Sequence, residues 1–138
     1  MQALFGKLVA QTNGLVKLTD RVKLCMSPSA QLALTATNIY GKTAMEMIKA
    51  VFPNLTVETA VQYGAKSALN PQGMAAGEML QMIAETVDGK KTAFASFTEK
   101  LRAHKLIPAT SSYKQKLTSG TNGAIIRMPM GIASMIGI

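Results

Sequence analysis

The stretch GAIIRMPMGIASMIGI, residues 123–138, carries the pattern that decides the fold of this chain. Its β-branched and apolar residues predict one strand over Ala124–Met128 and another over Met130–Ile136, after a turn at Ser119–Gly123. Pro129 has no amide hydrogen to donate to a sheet, so it predicts a sheet edge or a bulge between the two strands. The end of the chain is therefore predicted to consist of strands.

Basic residues are concentrated just before this tail. Between residues 90 and 127 the one acidic side chain is Glu99. The whole chain has a formal net charge of +8, which favours an anionic neighbour such as nucleic acid, a membrane surface or an acidic protein face. Few aromatic side chains lie nearby to stack on bases, so we expect at most nonspecific contact with DNA phosphates, or contact with neighbouring subunits. The residues of this candidate basic face are Lys90, Lys91, Lys100, Arg102 and Lys105.

The composition is that of one domain with an aliphatic core. The 138 residues are 48% hydrophobic but only 5% aromatic, with ten Met and no Trp. The single cysteine, Cys25, rules out an internal disulfide bond. No export signal is recognisable, and no run reaches the ~18 to 20 apolar residues that a membrane span needs. We therefore expect a soluble protein inside the cell that makes it.

Periodicity and turn residues divide the first 90 residues into short helices and strands. Glu78–Val87 fits both a helix and a strand, but the Asp88-Gly89 turn that follows favours strands on both sides. The other predicted elements are a helix over 3–12, a strand at Val22–Met26, a helix capped by Ser29 that runs to Thr37 and is closed by Asn38–Gly41, a helix at Ala44–Val51, a strand at Thr56–Tyr63, a loop at Gly64–Gly77 and a later strand at Ser111–Leu117.

The residues that carry chemistry elsewhere have simpler explanations here. Gly41-Lys42-Thr43 resembles the end of a phosphate-binding loop, but position 36 is Ala where that loop needs Gly, so we interpret Thr43 with Glu46 as a helix cap. Cys25 and His104 could form a thiolate and base pair, although a buried structural thiol is simpler. One His and one Cys cannot supply a closed metal site. No catalytic, cofactor-binding or metal-binding residue is predicted.

Taken in order, these segments resemble the later part of a tailed-bacteriophage major capsid protein with the Hong Kong 97 fold. The resemblance covers nearly the whole chain and is one of order and spacing. It is closest in the last segment, where a strand with an interior Pro leads into a final strand that ends in Gly-Ile. The segments that carry it are VKLCMSPSAQLAL at 22–34, GKTAMEMIKAVFP at 41–53, TVETAVQY at 56–63, EMLQMIAETVDG at 78–89, SSYKQKLTSGTNG at 111–123 and IIRMPMGIASMIGI at 125–138.

The resemblance implies an α+β fold with two parts. Residues 1–104 would form the axial domain, a central sheet flanked by helices, and residues 105–138 would be C-terminal strands of the peripheral-domain type. The N-terminal arm, extended loop and spine helix of such coat proteins have no counterpart in the chain. We therefore expect a fragment of a coat protein or a prophage remnant.

The function implied is that of a structural subunit, not an enzyme. The chain would assemble with copies of itself into an icosahedral shell and contact packaged DNA nonspecifically, with no membrane, cofactor or small-molecule substrate. It would lie in the virion capsid, and in the host cytoplasm before assembly. The alternatives are a small basic nucleic-acid-binding protein and, more remotely, an enzyme. A candidate subunit-contact loop contains Gly64, Lys66, Asn70, Pro71 and Gly73.

Overall fold

A computed structural model describes residues 2–137 of the chain. These residues form two compact units, one made of 2–92 together with 128–137 and the other of 93–127. The helices are α1 (Gln2–Gln11), α2 (Pro28–Ala33) and α3 (Ala44–Val51), with 3₁₀ turns at Val61–Tyr63 and Pro129–Gly131. The strands are β1 (Val22–Met26), β2 (Leu55–Thr59), β3 (Met79–Ala84), β4 (Thr86–Val87), β5 (Lys90–Lys91), β6 (Ala93–Ala103), β7 (Ile107–Pro108), β8 (Tyr113–Lys114), β9 (Leu117–Ile126) and β10 (Ile132–Ile136).

A four-stranded sheet in the order β10-β3-β1-β2 organises the first unit. β1 and β2 are parallel, whereas β3 runs antiparallel to both β1 and β10. The register aligns Leu24 with Val57 on one side and Met82 on the other, and Met82 with Ala133. Because side chains alternate between the faces of a sheet, this row lies on one face, where Leu24, Met82 and Ala133 are buried.

Helix α1 covers that face of the sheet. Leu4 and Leu8 are four residues apart, so they lie on the same side of the helix, and both are buried where α1 packs against β3 and β10. Phe5 extends the contact to Phe52 after α3, with ring centroids 4.9 Å apart in an edge-on arrangement. The core is thus largely aliphatic, as the composition predicts.

The N-terminal cap of α3 is as predicted, whereas that of α2 is formed by a different residue. Thr43 and Glu46 form the predicted capping box: Glu46 N donates to Thr43 Oγ1 at 3.2 Å, and Thr43 N donates to Glu46 Oε2 at 3.0 Å. The prediction that Ser29 caps a helix to Thr37 was wrong. Ser27 caps α2 by accepting from Ala30 N at 3.0 Å, since Pro28 is suited to the first helical position, and α2 ends at Ala33.

The ambiguous segment at residues 78–87 is extended, as predicted. β3 and β4 occupy it, and β4 pairs with β5 across the Asp88-Gly89 turn. Asp88 and Gly89 have φ values of 51° and 70°, the left-handed pair that a tight two-residue hairpin turn requires. The strand predicted at Thr56–Tyr63 starts one residue earlier and ends at Thr59, and a 3₁₀ turn follows.

The tail differs from its prediction in where the turns lie. No turn forms at Ser119–Gly123, because β9 runs through this segment and pairs with β6 over its length, with bulges absorbing the irregular register. Of the strand predicted at Ser111–Leu117, only β8 and the first residue of β9 are extended. Pro129 interrupts the strands as predicted, and β10 forms a sheet edge beside β3. The terminal Ile138 of the predicted Gly-Ile ending lies outside the described residues.

The second unit, residues 93–127, is a two-stranded antiparallel ribbon of β6 and β9 that continues into the short β7–β8 pair. The predicted division of the chain between residues 104 and 105 does not coincide with the two compact units. Residues 128–137 belong to the first unit because β10 pairs with β3. The names axial and peripheral domain stay predictions for these parts.

Candidate functional site

The loop at residues 64–77 has a defined internal structure. Met74 N donates to Gly64 O at 2.8 Å and Lys66 N donates to Met74 O at 2.9 Å, which closes the loop at its base. The Asn70 side chain crosses the loop and donates from Nδ2 to Val61 O at 2.8 Å. These bonds hold the backbone in one shape, as a recognition surface requires.

Gly73 permits the close approach of the two sides of the loop. A Cβ atom at this position would lie 2.6 Å from both Gly64 O and Ala65 O, which are backbone atoms that a side-chain rotation cannot move. Gly64 is itself buried, and a Cβ there would lie 3.1 Å from Asn70 Nδ2. The small residues predicted in this loop therefore have a packing role.

An open cleft of about 640 Å³ lies between this loop and the start of α2. We call it the contact-loop cleft. Its polar end is a chain of hydrogen bonds: Ser29 Oγ donates to Glu78 Oε1 at 2.6 Å, and Ser27 and Ser29 hydroxyls are 2.8 Å apart. Leu69, 98% exposed, is at its apolar rim. The lining residues used below are Val61, Gly64, Ala65, Leu69, Asn70, Pro71 and Glu78.

Of the five predicted contact-loop residues, three line this cleft and two do not. Gly64, Asn70 and Pro71 are lining residues, whereas Lys66 and Gly73 belong to the base of the loop. Contact between these residues and another subunit stays a prediction.

The five residues of the predicted basic face are divided between the two compact units. Lys90 and Lys91 form β5 in the first unit, while Lys100 and Arg102 lie on β6 and Lys105 follows it in the second. All five are exposed, and Arg102 Nε lies 3.8 Å from Glu99 Oε1 in a surface ion pair. Their role in binding nucleic acid or a subunit stays a prediction.

The ribbon at residues 93–127 exposes apolar side chains along its length. Within this range no residue is buried. A two-stranded ribbon is at best marginally stable in water without a packed face. The large apolar side chains exposed there are Phe94, Phe97, Leu101, Leu106, Ile107, Tyr113, Leu117, Ile125 and Ile126.

The residues considered for catalysis have structural partners. Cys25 is buried on β1, as predicted, and burial raises the pKa of its thiol against the lowering effect of a hydrogen bond with Tyr63. His104 belongs to the other compact unit, where its Nε2 lies 2.9 Å from Thr118 Oγ1. The Thr43 hydroxyl of the Gly41-Lys42-Thr43 turn is used by the cap of α3.

Two further absences hold for residues 2–137. No three His, Cys, Asp or Glu side chains there are grouped so that they could hold a metal ion. In the same part of the chain, no helix has the length and apolar character needed to cross a membrane.

Sequence reasoning missed a polar chain on the sheet face opposite α1. Tyr63 Oη donates to Gln81 Oε1 at 2.8 Å, and Gln81 Nε2 donates to Ser134 Oγ at 3.1 Å. Burial and the neighbouring Cys25 raise the pKa of Tyr63 to about 12. These residues come from three separate segments: the register of β3 with β10 places Gln81 beside Ser134, and the 3₁₀ turn after β2 supplies Tyr63. The sequence therefore held no local signal for them.

Comparison with known proteins identifies the family. The family model described as Pa193 gp26 major capsid protein matches residues 1–137. The chain belongs to this family. No curated protein sequence matches this capsid-family chain.

Two solved structures show the fold of this capsid-family chain. The capsid of Myoviridae phage XM1 matches with a TM-score of 0.69 at 10% identity, over 99% of this chain and 44% of that one. A virus-like particle from Pyrococcus furiosus matches with a TM-score of 0.56 at 15% identity, over 97% of this chain and 49% of that one. The chain therefore spans less than half the length of either protein. The predictions of an α+β class and of a Hong Kong 97-type capsid fold are confirmed.

Proposed function

We propose that this chain is a structural part of a bacteriophage or prophage major capsid subunit and acts by association with copies of itself in an icosahedral shell. The family match over residues 1–137 carries this proposal. In this role the chain catalyses no reaction and uses no cofactor, metal or small-molecule substrate. Its location is the virion capsid, and the host cytoplasm before assembly.

We propose that the first compact unit corresponds to the axial domain, which surrounds the symmetry axes of capsomers, because its sheet is flanked by helices. The predicted bounds, axial for residues 1–104 and peripheral-type strands for residues 105–138, differ from the compact units because β10 pairs with β3 in the first unit. The contact loop with Gly64, Lys66, Asn70, Pro71 and Gly73 then lies in the axial unit, where we propose that it meets neighbouring copies.

The ribbon supports association from its energetics. A Leu or Phe side chain that moves from water into a packed contact contributes about 1.5–3 kcal/mol. Leu101 and Leu117 are 67% and 57% exposed, so burial within one chain supplies less than half of that contribution for either side chain. Exposed strand edges and apolar patches of this kind favour pairing with other protein segments.

Sedimentation velocity of the full chain, with electron microscopy of the same samples, tests the proposal. We expect the mean sedimentation coefficient to rise with protein concentration and ring-like or larger particles to be visible. A chain that stays monomeric across the accessible range would contradict self-assembly.

The charge of the ribbon favours nonspecific contact with packaged DNA as a second activity. Residues 93–127 hold six basic side chains against Glu99 alone, a formal charge of +5. The logarithm of a nonspecific affinity falls with the logarithm of salt concentration by about 0.9 per phosphate contact. We propose that Lys100, Arg102 and Lys105 make such contacts, together with Lys90 and Lys91 of the first unit.

Fluorescence anisotropy with a labelled DNA duplex at several salt concentrations tests this second activity. The double variant Lys100→Ala, Arg102→Ala should reduce the salt slope by about 2, because two phosphate contacts are lost. The matched control, Lys7→Ala with Lys17→Ala, removes the same charge from the first unit and should change the slope less. A monomer that binds DNA tightly at physiological salt would favour the alternative of a small nucleic-acid-binding protein.

A further inference from the structure

The connection between α2 and α3 presents two large apolar side chains to solvent. Ile39 is 90% exposed and Tyr40 is 80% exposed, although each could bury a large apolar area in the core of a protein. We call the segment Thr37–Thr43 that carries them the Ile39 turn.

The backbone of the Ile39 turn is fixed by its own hydrogen bonds. The Asn38 side chain accepts from Tyr40 N at 2.9 Å and from Lys42 N at 3.1 Å, while Asn38 N donates to Lys42 O at 2.9 Å. Gly41 supplies the left-handed conformation, with φ at 72°, and Thr37 bridges to Thr43. A preformed turn loses less conformational entropy when its side chains are buried against a partner.

The contact-loop cleft complements the Ile39 turn in chemistry. The turn combines an apolar pair with the positive charge of Lys42. The cleft combines the apolar Val61 and Leu69 with the carboxylate of Glu78. An apolar pair in the cleft with Lys42 close to Glu78 would match both the hydrophobic and the charged groups.

The positions of the two surfaces indicate whether the turn and the cleft that meet belong to the same chain or to two copies. Ser27 and Ser29, at the start of α2, line the cleft, whereas the Ile39 turn follows the end of the same helix. The turn and the cleft of one chain are thus at opposite ends of α2. The occupant that brings this turn to this cleft is a second copy of the chain.

We infer that the Ile39 turn of one copy inserts into the contact-loop cleft of the next. The inference rests on the self-association proposed above and names the surfaces that carry it. The contact joins two different surfaces, so it is head-to-tail: repeated from copy to copy it closes into a ring or grows into a filament.

Disulfide trapping tests the geometry of this contact. In a Cys25→Ala background, Tyr40→Cys and Leu69→Cys are prepared as single variants and mixed under mild oxidation. We expect covalent heterodimers in preference to either homodimer, and a ladder of larger covalent products from the double variant. The control mixes Leu32→Cys with Leu69→Cys, because Leu32 is 72% exposed but lies on α2, outside the Ile39 turn. Its heterodimer yield should be roughly tenfold lower, since nothing holds those thiols together.

A mixing experiment without crosslinks tests the same contact by sedimentation. Ile39→Asp and Leu69→Asp each remove one side of the contact and should weaken it roughly tenfold or more. Mixed together they retain one intact contact, between the cleft of the first variant and the turn of the second. We therefore expect the mixture to associate more strongly than either variant alone, while Leu32→Asp associates as the unmodified chain does.

The outcomes separate this inference from the proposed function. If the unmodified chain self-associates but Ile39→Asp associates equally well, or if Tyr40→Cys homodimers dominate the trapping, the head-to-tail contact is wrong while self-assembly stands. If the unmodified chain is monomeric, both are wrong. Circular dichroism of each variant checks that these exposed positions leave the fold intact.

Discussion

Replacing Gly73 by alanine should open the contact loop and lower the stability of the chain. The added Cβ would lie 2.6 Å from the carbonyl oxygens of Gly64 and Ala65, well inside the 3.0 Å that real Cβ contacts respect. Both neighbours are backbone atoms, so relief requires the two sides of the loop to separate. The backbone φ of Gly73 lies outside the left-handed region, so the effect is one of space alone.

The size of the effect follows from the contacts that separation removes. Two hydrogen bonds close the loop, Met74 N to Gly64 O at 2.8 Å and Lys66 N to Met74 O at 2.9 Å. Each contributes about 0.5–1.5 kcal/mol net, and local overpacking costs about 1–3 kcal/mol. The loop can relax by opening, which limits the loss, so we expect the free energy of unfolding to fall by about 2 kcal/mol.

Gly6→Ala is the matched control for this substitution. Gly6 lies within α1 and, apart from its chain neighbours and the nearby helix backbone, no heavy atom lies within 4 Å of the position its Cβ would take. Alanine stabilises a helix interior relative to glycine by about 0.5–1 kcal/mol, so this variant should be more stable than the unmodified chain. The same chemical change is therefore expected to have opposite signs at the two sites.

Denaturant unfolding and amide hydrogen exchange measure the two parts of this prediction. Unfolding gives the change in free energy, and exchange reports whether the amides of Lys66 and Met74 lose protection. If Gly73→Ala unfolds within 0.5 kcal/mol of the unmodified chain, roughly the change of an ordinary surface substitution, and both amides stay protected, the account of the loop is refuted.

Three further predictions concern the core, a helix cap and pH. Gly131→Ala should lower the free energy of unfolding by about 1–3 kcal/mol, because its Cβ would lie 2.9 Å from the buried Thr92 Oγ1; an unchanged denaturation midpoint would contradict this. Thr43→Ala should cost about 1 kcal/mol by removing the hydroxyl that accepts from Glu46 N, and Thr43→Ser should restore most of it in the same assay. In the folded chain the pKa of Tyr63 is raised to about 12 from an ordinary value of 10.0, so the free energy of unfolding should fall as the pH rises from 10 to about 12. In Tyr63→Phe this fall should be smaller, as measured by unfolding curves recorded between those two pH values.

Local patterns in the sequence predicted the features that depend on near neighbours. The capping box at Thr43 and Glu46 is formed within one helical turn, and the Asp88-Gly89 hairpin needs only two residues in left-handed conformations. The break at Pro129 depends on the missing amide hydrogen of that residue. In each case the physical cause lies within a few residues, so it is visible in the sequence.

Only part of the candidate site could be predicted from local sequence patterns. The loop at residues 64–77 was predicted from its Gly, Asn, Pro and Ser content, which marks a loop but not its shape. The cleft needs Glu78 and the start of α2 beside that loop, which is a tertiary arrangement. The segment Asn38–Gly41 of the Ile39 turn was interpreted as the end of a helix. The sequence alone does not show whether the apolar side chains of Ile39 and Tyr40 are buried or exposed.

The sequence by itself determined the helix caps, the tight turns, the aliphatic core composition and the order of segments that resembles capsid proteins. Only the tertiary structure decided that β10 joins the sheet beside β3 rather than the ribbon, that β9 continues through Ser119–Gly123, and that the basic residues are divided between two units. The physical reason is the range of the interactions. Caps and turns are closed by atoms a few residues apart, whereas strand pairing joins positions such as Met82 and Ala133, whose partners no local pattern specifies.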